Sequence, residues 1–406
     1  MSRNYYILSN GRVQREDNTL SIVNANGSKR PIPVEDVESI YLYGEVDINT
    51  KLLNFLSKKR IPLHVFNYYG FYSGSYYPRE YLNSGHLLVK QVLRYADATG
   101  RMALANEFVA GAAHSITRTL AYYSRRKGPS IADDEPAGEV GGQQAAAPTI
   151  AFPPISEDAQ TATKMETLEI AVDSALSCTT LMEGLDPLSC TADLYSPNES
   201  NDGNELASAL ASIANLTALV GSVSDVNILR GIEGKIRETY YQCWKHILPQ
   251  WFEFNKRIRR PPDNEINSLI SFGNSMLYTV CLGEIYRTQL SPTIAYLHEP
   301  GARRFSLALD LSEVFKPLIV DRTIFRLVNT GQLKPEHFDK SLDGCFLSED
   351  GRKLFLTAFE EKLGSTIRHR QLGRHVSYRH LIRLECYRLI RDLTGIETYR
   401  AFRAWW

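Results

Sequence analysis

The spacing of apolar residues changes once along this chain, near Ser84, and that change constrains the fold more than any other feature. Before it, short runs rich in aromatic and β-branched residues alternate with turn pairs. "YYILS" is followed by Asn10-Gly11, "RVQRE" by Asp17-Asn18 and "TLSIVNA" by Asn26-Gly27. Such pairs accept positive φ and join extended runs into hairpins. "VESIYLYG" and "IPLHVFNYYGFYSGSYY" read as further strands, and "NTKLLNFLSKKR" between them as one short helix capped by Asn49 or Thr50. Beyond Ser84 apolar residues recur every three or four positions, the helical period. The stretch from His86 to Arg126 contains no proline and reads as one long helix or two stacked ones, helical patterning returns from Asn204, and the helical region as a whole reads as a bundle of six or seven helices. The expected class is α+β: a small N-terminal β-sheet or sandwich domain, residues 1–82, then a larger all-α helical-bundle domain, residues 83–406. A length of 406 residues exceeds one ordinary core and suits two domains.

The charge is balanced at 46 basic and 46 acidic residues, but the balance hides a partition. Residues 128–210 hold 15 acids and a single base, Lys164, which leaves 45 basic to 31 acidic residues elsewhere. A cationic body of this kind attracts polyanions, although ordinary surface charge is the plainer account. The stretch 128–205 is rich in Gly, Ala, Pro, Ser and acids and reads as a flexible insertion, with a weak helix around residues 163–178. No run of about 18 apolar residues marks a membrane span, and the first residues lack a signal-peptide core. The six cysteines are scattered without a CxxC pair, so neither a zinc site nor a disulfide framework is expected and the reading is cytoplasmic.

Three helical-region segments place polar groups in apolar settings. In "NILRGIEGKIRETY", Glu233 stands between Gly231 and Gly234, and each glycine inside a helix costs about 1 kcal/mol relative to alanine. In "TIAYLHEPGARRFSL", His298 follows an apolar run. In "LALDLSEVFKP", Asp310 and Glu313 are three apart on one helical face. One imidazole and two or more carboxylates suit magnesium or manganese better than zinc. Plainer readings stand beside this one: a solvated Glu233, a packed His298, and Asp310 as helix cap with Glu313 closing a capping box. Basic residues cluster at Lys256, Arg257, Arg259 and Arg260, with Asn267 in the next helix and Arg303 and Arg322 further on. The C-terminal region adds Arg368, Arg370, Arg374, Arg379, Arg383, Arg388 and Arg391 with few matching acids nearby, a pattern that suits phosphate.

The segments "LRGIEGKIRETYY", "INSLISFGNSMLYTVCLGEIYRTQLSPTIAYLHEPGARRFSLALDLSEVFKPLIVDR" and "HVSYRHLIRLECYRLIRDLTGIETYRAF", taken in order, resemble the CRISPR-associated adaptation endonuclease, the integrase that inserts new spacers. The N-terminal "YYILSNGRVQREDNTLSI" resembles the same family, and the resemblance covers all but about residues 128–205. "FRAWW" looks like the branch found with type I systems, subtype I-B. The resemblance implies Glu233, His298 and Glu313 as ligands of Mg2+ or Mn2+, with Tyr278 as a fourth catalytic residue and Asn267 beside the site. It implies double-stranded DNA as substrate, both as prespacer and as CRISPR repeat. It further implies a homodimer through the β domain, whose edge strands can pair, a small companion adaptation protein, and no membrane.

The implied reaction is transesterification, a DNA 3′-hydroxyl attacking a repeat phosphodiester. His298 must then be neutral to coordinate, so activity should fall as it protonates below about pH 6.5. On this reading Gly231 and Gly234 remove side chains so that DNA and opposing helices can approach Glu233. The competing hypothesis is a structured-DNA binding module with degraded catalysis.

Overall fold

The computed structural model describes residues 3–24, 27–79, 82–127, 199–259, 261–301, 305–341 and 344–405. Most of the expected insertion, with the weak helix at 163–178, lies outside these residues. Its last part does not: residues 199–205 form the first turns of a helix.

The N-terminal region is built from β1 (Arg3–Ile7), β2 (Gly11–Glu16), β3 (Thr19–Asn24), β4 (Lys29–Ile32), β5 (Val37–Leu42), β6 (Val46–Asp47), β7 (Leu63–Phe66) and β8 (Tyr72–Tyr76). They form two four-stranded sheets, β1-β5-β7-β8 and β4-β3-β2-β6. Asp17-Asn18 makes the expected tight hairpin, with Glu16 opposite Thr19 and Asp17 at φ 51°. Asn10-Gly11 does not. β1 pairs parallel with β5 while β2 joins the other sheet, so this pair carries the chain across. Backbone contacts explain the choice: Asn10 Oδ1 accepts from Glu45 N at 2.9 Å, and Gly11 N donates to Glu45 O at 3.0 Å. The buried inner faces, including Val13, Leu20, Ile40 and Leu63, close over helix α1 (Thr50–Lys59) through Leu52 and Leu56. The cap of α1 is Asn49, whose side chain accepts from Leu52 N.

The helical region opens with two helices, α2 (Gly85–Ala96) and α3 (Ala98–Lys127). Asp97 separates them and accepts the first free amides of α3, Thr99 N and Gly100 N. Then follow α4 (Glu199–Ala218), α5 (Val226–Gln242), α6 (Glu265–Tyr286), α7 (Ser306–Lys316), α8 (Arg322–Asn329), α9 (Glu349–Gly364) and α10 (Tyr378–Leu393). A π-helical turn, Pro317–Asp321, joins α7 to α8. The region is not purely helical. β9 (Phe338–Ser341) pairs with β10 (Gly344–Leu347), and β11 (Thr366–Arg368) with β12 (His375–Ser377), as short antiparallel ribbons.

The segment Asp202–Ser222 is long and apolar enough to cross a membrane, at mean hydropathy 1.2, although no run in the sequence suggested it. It is an alanine-rich helix that packs on α3 and α5 and buries Leu206, Ala209 and Ile213. Helix α6 is buried on nearly all sides. Its Phe272 meets Tyr43 of the β region with ring centroids 5.8 Å apart. Gly70, at φ +81° in the β7–β8 turn, lies so close that a Cβ there would stand 2.9 Å from the Phe272 ring.

An ion cluster joins the β region to the helices. Arg379 reaches Glu38 at 2.5 Å and Glu360 at 2.7 Å, and Arg383 reaches Glu284 at 2.6 Å. Arg388 pairs with Glu385 at 3.1 Å. These three arginines, read in sequence as phosphate contacts, therefore meet acids brought from other elements or from the previous helical turn.

Candidate active site

Glu233 is presented by α5, which starts cleanly because the Asp225 side chain accepts from Asn227 N and Ile228 N. A residue four positions along a helix shares its face, and Arg237 Nε accordingly donates to Glu233 Oε1 at 2.5 Å. The same guanidinium bonds the carboxylate of Glu313 on α7. Lys316, three residues after Glu313, bonds its other oxygen. Burial alone would raise the Glu313 carboxyl, but Arg237 and Lys316 outweigh it and hold it at about 2. Burial likewise opposes the charge of Arg237, and Glu313 with Glu233 more than restores it.

Asp310 is not the cap of α7. The helix starts at Ser306, and Asp310 lies in its middle, fully buried. Its Oδ2 accepts from Tyr296 N at 2.7 Å and Leu297 N at 3.0 Å. Its Oδ1 accepts from His298 N at 3.0 Å and lies 2.8 Å from His298 Nδ1. A carboxylate only accepts, so Nδ1 carries the proton and Nε2 keeps the lone pair. Burial disfavours the imidazolium, yet the Asp310 bond and charge prevail and raise the His298 pKa above its ordinary value. Protonation thus begins at higher pH than the sequence alone suggested.

These residues line one open cleft of about 1390 Å³ between α5, α6, α7 and the β8 end of the β region. Glu233, His298, Glu313 and Tyr278 are all on its wall, together with Arg230, Arg237, Arg257, Arg259 and Lys316. The donor set fits a hard divalent cation: two carboxylates and an imidazole whose Nδ1 is already held. The placement is not yet that of a ligand cage. Among the described residues no group of three His, Cys, Asp or Glu stands close enough to hold an ion, because the two carboxylates close on Arg237 instead.

The remaining candidates separate. Tyr278 is mostly buried, and its hydroxyl accepts from Phe305 N at 3.0 Å, which ties it to the residue that opens α7. Asn267 is fully buried rather than facing a ligand. It donates to Lys256 O and Asp263 Oδ1 and accepts from Ile258 N, so it shapes the loop that carries Arg257 and Arg259. A side-chain amide folding its own preceding loop has no signature distinct from one awaiting DNA. Lys256 is exposed but not on the cleft wall. Arg322 is also off that wall and lies over the Tyr122 ring at 5.4 Å. Arg260 and Arg303 lie outside the described residues.

The two glycines do not make room for opposing helices. A Cβ on Gly231 or Gly234 would meet no atom within 4 Å, and only Gly231 lines the cleft. Sequence reasoning missed Arg237 and Lys316, although i+4 and i+3 spacing from the two glutamates was available as a signal. It also missed Asp321 on the π-turn, a fully buried carboxylic acid that burial pushes up to about 7 against the pull of Arg237.

The family model "CRISPR associated protein Cas1" matches residues 5–147 and 190–361. A CRISPR-associated endonuclease Cas1 from Clostridium perfringens is 40% identical over 409 residues, covering 100% of both chains. Among solved structures, a CAS1 protein from Thermotoga maritima aligns with TM-score 0.70 at 33% identity, covering 98% of this chain and 99% of that one. A casposase bound to integration product shares the fold at TM-score 0.71 and 17% identity, over 98% of this chain and 93% of that one.

Proposed function

Since this chain belongs to the Cas1 family of CRISPR-associated proteins, we propose that it is a metal-dependent DNA endonuclease and integrase of CRISPR adaptation, in the type I, subtype I-B branch. It inserts short duplex DNA into the CRISPR repeat by attack of a 3′-hydroxyl on a phosphodiester. The observation that carries this reading is that Glu233, His298 and Glu313, from three separated segments, line one cleft with Arg230, Arg257 and Arg259. Glu233, His298 and Glu313 would hold Mg2+ or Mn2+, which when bound supplies Lewis-acid stabilisation of the phosphoryl charge. Asp310 fixes the His298 tautomer, and Tyr278 holds the start of α7 in place. The arginines on the wall orient backbone phosphates by forked hydrogen bonds. The reading extends to a cytoplasmic homodimer working with the small companion protein of adaptation.

A second reading, a structured-DNA binder with degraded catalysis, is favoured by one observation: Arg237 engages both carboxylates. One experiment separates them. Wild-type protein with manganese is given a branched duplex and a repeat target, beside Glu233→Ala. Metal-dependent cleavage and strand transfer, lost in the folded variant, are expected. Binding without cleavage in the wild type, or undiminished strand transfer in Glu233→Ala, would reject the enzyme reading.

A further inference from the structure

Arg237 forks between Glu233 and Glu313, with Nε on one and Nη2 on the other, and its side chain is only 11% exposed. It supplies there the positive charge that a divalent cation on the same carboxylates would supply. Glu313 already gives Oε2 to Arg237 and Oε1 to Lys316, and a divalent cation placed on these carboxylates beside the guanidinium would be repelled strongly in so buried a site. Metal loading therefore needs somewhere for the guanidinium to go.

Asp321 offers the place. It is 1% exposed, and its Oδ2 is buried with no hydrogen-bond partner among the described residues. A buried carboxylate oxygen without a donor is costly and uncommon in native proteins. Arg237 is the charge that acts most strongly on this carboxyl. The Tyr240 hydroxyl is a hydrogen-bonding neighbour of this carboxyl, but a phenol is one neutral donor and cannot balance a carboxylate. The acid also sits on the turn that directly follows the helix of Glu313, so one short stretch carries both partners of the guanidinium.

We infer that Arg237 is a displaceable counter-ion, which holds Glu233 and Glu313 together in the metal-free protein and transfers its guanidinium to Asp321 when a divalent cation binds. Arg237 is thus a positioning residue, and Asp321 its second seat. The inference rests on the metal site of the proposed function.

The test uses the full chain and manganese alone, without DNA, at about pH 8, where carboxylic acids of ordinary or moderately raised pKa are ionised. Manganese affinity is read by calorimetry and by electron paramagnetic resonance for wild type, Arg237→Gln, Asp321→Asn and the double variant, with folding checked by circular dichroism. Arg237→Gln should bind manganese about tenfold more tightly, within the usual coupling of residues in contact. Asp321→Asn should bind it several-fold more weakly, and this loss should vanish in the Arg237→Gln background because Asp321 acts through Arg237. If Arg237→Gln does not fold, Arg237→Lys keeps the charge but cannot fork, and should still bind more tightly than wild type. A crystal structure with manganese should place the guanidinium on Asp321. The inference is overturned if removing the fork leaves the affinity unchanged, if the Asp321→Asn effect is the same in both backgrounds, or if Arg237 still bridges both carboxylates beside a bound ion. Absence of manganese binding in every protein would instead overturn the metal site itself, and this inference with it.

Discussion

Replacing Gly231 and Gly234 by alanine, separately, tests the reason for glycine in this helix. Both lie inside α5 without positive φ, and a Cβ on either meets no atom within 4 Å. Each substitution should then stabilise the protein by about 0.5–1 kcal/mol, the helix-interior difference between the two residues. Nothing in the fold offsets that gain, so the glycines are kept at a cost to stability. The two positions differ in one respect: Gly231 lines the cleft and Gly234 does not. If glycine there admits the DNA backbone, Gly231→Ala should raise the urea midpoint while lowering DNA strand transfer by about tenfold or more, a loss of about 1.4 kcal/mol in the transition state. Gly234→Ala should give the same stability gain with strand transfer near wild type. Urea unfolding of both variants, paired with a strand-transfer assay on a repeat duplex, reads both quantities. Full activity in Gly231→Ala would refute the approach argument, and destabilisation of either variant would refute the open surroundings on which the magnitude rests.

Asp321 predicts a pH-dependent stability difference. Its folded pKa is raised from 3.8 to about 7, so the native state holds a proton that the unfolded chain has lost. Its contribution is therefore fully present below about pH 4 and disappears as pH rises through 7. Asp321→Asn should gain on wild type across that window, by up to about 4 kcal/mol at 1.36 kcal/mol per unit, and gain nothing further above it; a gap independent of pH in urea melts would contradict this. Arg379→Ala should cost about 3 kcal/mol or more, because Glu38 and Glu360 lose a common partner in a largely buried cluster. It should leave the salt dependence of DNA binding unchanged, and a slope reduced by about one would return Arg379 to the phosphate contacts.

The two-part fold was legible because it is written in local periodicity. Alternation up to about Tyr76 and three-to-four spacing after Ser84 each reflect one buried face, and burial is what the structure realises. Junctions were less legible. Asn10-Gly11 has the composition of a hairpin, yet the backbone N–H and C=O of Glu45 hold it where the chain passes to another sheet, and that partner is more than thirty residues away. The β9–β10 and β11–β12 ribbons were missed because three- and four-residue strands carry too little alternation to stand out between helices.

At the site, chemistry was legible where the side chain's role is set by its own kind, and illegible where a neighbour sets it. Glu233, His298 and Glu313, which the resemblance implied as a set, all line one cleft, although among the described residues no three such groups stand close enough to hold an ion. Asp310 shows the limit: in sequence it reads as a cap for Glu313's helix, while in the fold it gathers three backbone amides and the imidazole of His298. The C-terminal arginines show it again, since a count of nearby acids cannot include Glu38 and Glu284, which come from β5 and α6. Net charge is therefore a poor guide to which arginines remain for phosphate. A better guide follows from the structure: an arginine already forked into a buried carboxylate is committed, while Arg230 and Arg259, exposed on the cleft wall, are open to a polyanion, and Arg257 beside them is already held by Asn267 and Ser271. Arg237 belongs to neither class, because its carboxylate partners, Glu233 and Glu313, are the proposed metal ligands.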